Sequence, residues 1–190
     1  MADLQTLERR AAIAATCTLC ALHESRTQVV WADGNPESPL LFIGEGPGQQ
    51  EDEQGKPFVG AAGQLLDRML AAIDLDRTQV YIANIVKCRP PQNRDPKPEE
   101  IAACLDHLRW QVHCVKPAIL VCLGAVAART IIAPDFRITK DRGQWIEKGD
   151  YRIMATYHPA ALLRDPNKKP EAWEDFKQLR AALSELPGAQ

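Results

Sequence analysis

Between Gly44 and Gly60 the chain reads GEGPGQQEDEQGKPFVG, with glycines at 44, 46 and 48 set among the acids Glu45, Glu51, Asp52 and Glu53. Glycines at those places let a backbone turn tightly and approach a ligand closely. The acids, however, would repel a pyrophosphate, and the spacing fits neither the dinucleotide fingerprint nor the P-loop. A solvated acidic turn accounts for the glycines and the acids alone. It does not account for Phe58, an aromatic between Pro57 and Gly60 that can wall a pocket for a flat ring.

Two further polar residues stand out against apolar surroundings. Asn84 interrupts the run VYIANIV, and its amide could satisfy backbone groups or read the edge of a base with one acceptor and two donors. His158 follows the apolar run ending at Thr156 and precedes Pro159, which would hold it at the end of a strand. A lone histidine is more often structural than catalytic. Its value here lies in where the strand ends would bring it.

Six cysteines divide into two groups. Cys114 and Cys122 lie in apolar surroundings and read as inert buried thiols. Cys17 and Cys20 form a C-x-x-C, Cys88 closes the segment after Asn84, and Cys104 lies on the following helix. A lone C-x-x-C is weak evidence. Four cysteines framing the loop Arg89 to Ala103 point to a metal or cluster that would fix a segment poor in apolar residues. Tetrathiolate zinc and an iron–sulfur cluster both satisfy that chemistry.

Positive charge gathers in two proline-containing loops. Arg89, Arg94 and Lys97 lie in CRPPQNRDPKPEE, and Arg164, Lys168 and Lys169 lie in LLRDPNKKPE. Charge alone would make these solvated surface. Both loops follow apolar runs, though, so in a parallel sheet they would start at the edge that also carries the glycine turn, where open α/β sheets bind ligands.

The elements that must position these residues alternate. The pattern predicts a helix over Leu4 to Ala15, a strand at Pro39 to Ile43, a helix over Ala61 to Ile73 and a strand at Val80 to Val86. It continues with a helix over Pro98 to Val115, a strand at Ala118 to Cys122, a helix over Ala125 to Ile132, a hairpin around Gly143 to Tyr151 feeding the last strand, and a helix over Glu171 to Leu186. Such alternation means a parallel sheet covered on both faces. With 190 residues, 45% hydrophobic and 25% charged, the chain suits one domain over residues 1–190. A net charge of −2 and a pI near 6.1 argue against coating nucleic acid by bulk electrostatics. No apolar run reaches membrane-spanning length and the first residues do not resemble a secretion signal, so the expected setting is cytoplasmic.

Taken together, GEGPGQQED with GKPFVG, the segment YIANIVKCRPPQNRDP, Cys104 and HPAALLR resemble the family 4 uracil-DNA glycosylases, the iron–sulfur branch of their superfamily. The resemblance covers nearly the whole chain in the right order. It implies a three-layer α/β/α sandwich around a four-stranded parallel sheet, a structural [4Fe–4S] cluster on Cys17, Cys20, Cys88 and Cys104, and removal of uracil from DNA; the expected partner is uracil-containing DNA and the expected state a monomer. Matched by motif, Gly44, Glu45 and Gly46 line the uracil pocket, Phe58 stacks on the base, Asn84 reads its edge, and His158 faces the ring oxygen beside the cleaved bond. Glu51 and Asn93 match further positions of functional interest, and Ala160 stands where related enzymes often carry serine.

The chemistry expected of such a site is monofunctional hydrolysis. Uracil must leave the stack, and Leu162, four residues beyond His158, is the expected wedge. Donors aimed at the base oxygen stabilise the departing anion, which assigns His158 as a catalytic donor. Glu45 is the expected water-orienting acid, with Glu51 a further catalytic candidate. Arg89, Asn93, Arg94 and Arg164 are the expected DNA contacts. A non-catalytic iron–sulfur or zinc module that binds DNA would share the cysteines and basic loops but gives no reason for Asn84, Phe58 and His158 to accompany the glycine turn. An electron carrier leaves all the pocket residues unexplained.

Overall fold

The computed structural model describes residues 2–186, so the ends of the expected 1–190 domain lie outside the described residues. Four short apolar runs form the centre of the sheet: β2 (Leu40–Gly44), β3 (Tyr81–Asn84), β4 (Ile119–Leu123) and β6 (Tyr151–Thr156). All four are parallel, in the order β3-β2-β4-β6. Because both faces of a parallel sheet are covered, these strands are apolar along their length rather than alternating.

The expected four-stranded sheet gains two short antiparallel edges. β1 (Asp33–Gly34) pairs with β3, and β5 (Ile146–Lys148) pairs with β6 through the hairpin expected near Gly143 to Tyr151. A two-residue strand carries no periodicity to read. Gly34, at φ 96, is the only residue type that fits beside the Val80 carbonyl, which an added Cβ would meet at 2.1 Å.

The sheet separates two cores. Leu41, Ile43, Ala83, Leu120, Cys122 and Ala155 face a layer made by α1 (Leu4–Ala15), α4 (Pro98–Val115) and α5 (Ala125–Ile131). Leu40, Phe42, Ile82, Val121 and Met154 face Leu66 and Leu70 of α3 (Ala61–Ala71) and Phe176 and Leu179 of α8 (Lys169–Ser184). The result is the three-layer α/β/α sandwich. Cys114 and Cys122 are wholly buried, and burial pushes the Cys122 thiol up to about 12, which keeps it inert.

Three helices fill loops at the carboxyl edge. α2 (Gln49–Gln54) follows the glycine turn, α6 (Ile138–Asp141) precedes β5, and α7 (Pro159–Arg164) follows β6. No helix among the described residues is long and apolar enough to cross a membrane.

Candidate active site

The ends of β2, β3, β4 and β6 open into one cleft of about 520 Å³. Glu45, Gly46, Glu51, Phe58, Asn84, Asn93, Arg94, His158 and Arg164 all line it, as does Gly124 after β4, so four distant stretches of sequence meet at one sheet edge. Gly44 sits just beneath. A Cβ there would lie 2.4 Å from Asn84 Oδ1 and 2.6 Å from the Phe58 ring, so glycine is what lets the asparagine and the aromatic share the floor.

Asn84 closes β3 with a side chain that is 1% exposed, and its Oδ1 has no hydrogen-bond partner among the described residues. A buried acceptor left unpaired costs free energy unless a ligand supplies the donor. Phe58 lies nearby in a left-handed backbone conformation, φ 54, which a bulky side chain adopts only when its surroundings impose it.

The acids of the glycine stretch supply part of that imposition. Glu51 Oε1 accepts from the N–H groups of Val59 (2.9 Å) and Gly60 (2.8 Å), while Oε2 accepts from Gly48 (3.1 Å). Glu51 therefore ties the glycine turn to the Phe58 loop, and the side chain expected to be catalytic has both oxygens engaged by backbone. Asp52 is buried and accepts from Thr27 N–H at 2.9 Å.

His158 caps α7. Its Nδ1 accepts from Ala160 N–H at 3.1 Å, so in the neutral ring Nε2 carries the proton. Burial, then the nearby Arg164 cation, lower its pKa to about 4, with Glu51 opposing. The imidazole is thus a neutral donor at physiological pH. It stacks on Phe58 with centroids 5.4 Å apart, and behind it Gly124, at φ 91, brings the turn after β4 so close that a Cβ would meet His158 Cβ at 2.9 Å.

Glu45 has a different environment. Burial and then the Asp95 carboxylate raise its pKa to about 7, Arg164 pulling the other way, and in its protonated form Glu45 hydrogen-bonds to Asp95. Glu45 is thus a cleft carboxylate poised to change charge near neutrality.

Two expected DNA contacts are engaged by neighbouring side chains of this chain, and the expected wedge is buried. Arg94 forks onto the buried Glu100 at 2.8 and 2.7 Å, and Glu100 accepts from Lys97 N–H at 2.7 Å, closing the start of α4. Arg89 Nε donates to Asn93 Oδ1 at 2.8 Å and does not line the cleft. Arg164 is exposed at the cleft rim and forms no ion pair among the described residues. Leu162 is 1% exposed and packs with Leu65, Tyr157 and Ala172, whereas Leu163 is 41% exposed. In a one-turn-and-a-half helix, a shift of one residue exchanges the buried face for the open one.

Sequence reasoning does not find Arg77, Lys87 or Asp95, which support this site from other elements. Arg77 and Lys87 read as ordinary surface charges because nothing local marks them as buried.

Cys17, Cys20, Cys88 and Cys104 line a second, smaller cavity walled by Ala14, Leu19, Val29 and Ala103. Arg26 Nη1 donates to Cys88 Sγ at 3.2 Å and to the Cys17 carbonyl at 2.7 Å. The Lys87 N–H donates to Cys104 Sγ at 3.3 Å. His107, on the same cavity wall, has both ring nitrogens buried without a partner among the described residues. Four thiols, two N–H···S donors and orphaned polar atoms around one apolar space fit a thiolate-bound group.

Residues 31–177 match the profile of the uracil DNA glycosylase superfamily. The chain belongs to that superfamily. It is 43% identical over 172 residues to a type-4 uracil-DNA glycosylase of Archaeoglobus fulgidus, covering 86% of each chain. It is 46% identical over 151 residues to the type-4 uracil-DNA glycosylase of Thermotoga maritima, covering 78% of this chain and 79% of that one. Similarity extends to a type-5 uracil-DNA glycosylase of Pyrobaculum aerophilum, at 36% over 149 residues, covering 70% of this chain and 65% of the other. These likenesses agree with the resemblance carried by the motifs.

Proposed function

We propose that this chain removes uracil from DNA by hydrolysing its N-glycosidic bond, releasing free uracil and leaving an abasic site that opens base excision repair. The observation that carries the reading is the buried Asn84 carboxamide, whose Oδ1 lacks a donor beside a stacked aromatic and a neutral histidine. Uracil presents a donor at N3 next to an acceptor at O4, which is the complement of one carboxamide edge.

In this reading a flipped uracil enters the cleft and lies on Phe58, whose loop Glu51 holds. Asn84 accepts from N3–H and donates to O4. His158 Nε2–H donates to the oxygen beside the breaking bond, where charge builds as the sugar becomes oxocarbenium-like. Such a donor is ready at neutral pH: giving a hydrogen bond to the anion requires no prior protonation of a ring whose pKa burial holds near 4. Glu45, as carboxylate, orients the water that meets the sugar. Arg164 grips a phosphate at the rim, and Leu163 takes the wedge position that Leu162 cannot reach from the core. Among the described residues no lysine lines the cleft, and the proposed reaction is hydrolysis alone.

The group proposed for the second cavity is a [4Fe–4S] cluster held by Cys17, Cys20, Cys88 and Cys104. Tetrathiolate zinc would use the same four ligands; the cluster is chosen on the motif resemblance to the iron–sulfur branch of the family. When bound it would cross-link the end of α1, the loop after β3 and α4, a structural service outside the reaction. The chain is taken to work as one catalytic domain and a monomer.

The deciding experiment offers a uracil-containing oligonucleotide and its cytosine twin, followed by alkaline cleavage of abasic sites. Strand breaks confined to the uracil substrate are expected, with roughly four irons per chain in anaerobically purified protein. Binding of DNA without any break would replace an enzyme with a binding module. Stoichiometric zinc without iron would replace the cluster.

A further inference from the structure

Lys87 stands three residues after Asn84 and next to Cys88, and it is 1% exposed. Its Nζ donates to the Asn84 carbonyl at 2.7 Å and to Gln111 Oε1. Gln111, buried on α4, is itself held by its Nε2–H on the Trp31 carbonyl at 3.0 Å. The Lys87 main chain is fixed at both ends: its N–H donates to Cys104 Sγ at 3.3 Å and its carbonyl accepts from Val30 N–H at 2.8 Å.

An ammonium ion at this depth requires a counter-charge. Two neutral carbonyl oxygens hydrogen-bond it but do not neutralise it, and no carboxylate forms an ion pair with it among the described residues. Lys87 also lines the four-cysteine cavity, with its N–H on Cys104 Sγ and Cys88 next in the chain, while its Nζ lies 5.5 Å from the Trp31 ring centroid. A cluster with four thiolates carries net negative charge. The same ammonium closes the carbonyl of Asn84, which would otherwise be a buried acceptor without a donor at the end of β3.

We infer that Lys87 is a positioning residue with two partners: it is the counter-ion of the cluster, and it holds the main chain of the base-reading Asn84. The cavity that binds the cluster and the cleft that binds uracil are thereby joined through one side chain. This rests on the proposed uracil-excising, cluster-bearing reading. It extends that reading by giving the cluster's surroundings a role in base recognition while the cluster takes no part in the chemistry.

The test uses anaerobically prepared holoprotein and four readouts: iron release to a chelator, cluster reduction potential, single-turnover uracil excision, and inhibition by free uracil. In Lys87→Met, iron should leave about tenfold faster and the potential should move to more negative values, because reduction adds charge that a neighbouring cation stabilises. Free-uracil inhibition should weaken by about 5- to 100-fold, the loss expected from unpairing one buried carbonyl, with kcat falling while KM for DNA stays within about twofold. Lys87→Arg keeps the charge and should keep the potential. Gln111→Glu leaves the Nζ contact to Asn84 but offers Lys87 a competing carboxylate, so iron release and potential should shift toward those of Lys87→Met while uracil inhibition stays near wild type.

Unchanged potential and iron release in Lys87→Met would overturn the counter-ion role, and unchanged uracil inhibition and kcat would overturn the tether. Should Lys87→Met not fold, an unchanged potential and iron release in Gln111→Glu would overturn the link to the cluster. Wild-type protein that lacks iron or spares uracil would bring down the parent reading instead, a result visible before any variant is made.

Discussion

Arg77 holds Phe58 from behind. Its Nη2 donates to the Phe58 carbonyl and its Nη1 to the Pro57 carbonyl at 3.1 Å, while Asp67 and Asp33 fix the guanidinium at 2.6 and 2.9 Å. Together with Glu51 on the far side of the turn, it keeps the proposed stacking residue at φ 54. Gly63 completes the clamp, since a Cβ there would collide with the Phe58 carbonyl.

Arg77→Ala should therefore release the left-handed turn and uncover a carbonyl, lowering stability by about 1–3 kcal/mol and slowing uracil excision. Arg77→Lys should rescue little, because the fork that meets two carbonyls and two carboxylates is lost. Urea unfolding and single-turnover rates measured on both variants check this. A full-rate Arg77→Ala enzyme would mean the Phe58 loop holds itself.

For His158, His158→Ala should cut the single-turnover rate by about 10²- to 10³-fold, the usual loss for one oxyanion donor, with DNA affinity little changed and activity persisting in EDTA. Its acid titration gives a second readout. The native pKa of about 4 lies below the unfolded value. Between about pH 6.5 and pH 4 the unfolded chain binds a proton that the native state refuses, so stability falls as pH falls through that window, by roughly 3 kcal/mol at most. His158→Ala should lose that slope in denaturation curves taken across the window.

Glu45 runs the other way. Its native pKa, raised to about 7, lies above the unfolded value, so its stabilising neutral form is present at low pH and lost as pH rises through 7. If the carboxylate orients water, excision should climb through the same range and level off above it. Glu45→Gln should flatten that profile, lower the plateau, and gain roughly 1–2 kcal/mol of stability at pH 8, the full shift being discounted for partial exposure. A profile still rising through pH 7 in Glu45→Gln would assign the titration to another group.

The sheet and the convergence of its edge were legible because apolar runs of strand length alternate with helical ones. Helix Pro98–Val115 was found to the residue, its proline start and acidic first turn being local signals. α2 was not. QQEDEQ has no apolar periodicity, and it is helical because Glu51 and Asp52 bond backbone groups distant in sequence. The same reason hides Lys87: within IVKCRP it looks like any surface lysine, and only Gln111 and the Asn84 carbonyl, brought up by the fold, bury it. Leu162 shows the opposite limit. The short helix after His158 is not among the elements the pattern predicts, and which of its leucines faces outward depends on packing against α3 and α8.

That distinction is testable with Arg164 and Leu163. Arg164→Ala should weaken DNA binding at low salt and reduce the salt slope by about one. Leu163→Ala should slow excision from duplex DNA more than from single strands, because only the duplex requires a filled gap after the base leaves. Leu162→Ala should instead act on the fold, costing about 2–5 kcal/mol as a core truncation, with the same fractional activity on both substrates. A duplex-specific loss in Leu162→Ala, with Leu163→Ala unaffected, would return the wedge to Leu162.

Asn84 offers the most specific test, because uracil and cytosine present opposite hydrogen-bonding groups on the edge it faces. Cytosine offers a donor at its amino group and an acceptor at N3, so a carboxamide held for uracil leaves both mismatched. Each buried unpaired group costs about 1–3 kcal/mol, enough to make discrimination strong. Asn84→Asp should lose most uracil activity by placing an acceptor opposite O4, and should gain a slow cytosine excision. Asn84→Ala should lose uracil activity without that gain. Single-turnover rates on matched uracil and cytosine oligonucleotides separate the three proteins. Wild-type rates and selectivity in both variants would show that the unpaired Oδ1 is a structural feature and that the base is read from another wall of the cleft.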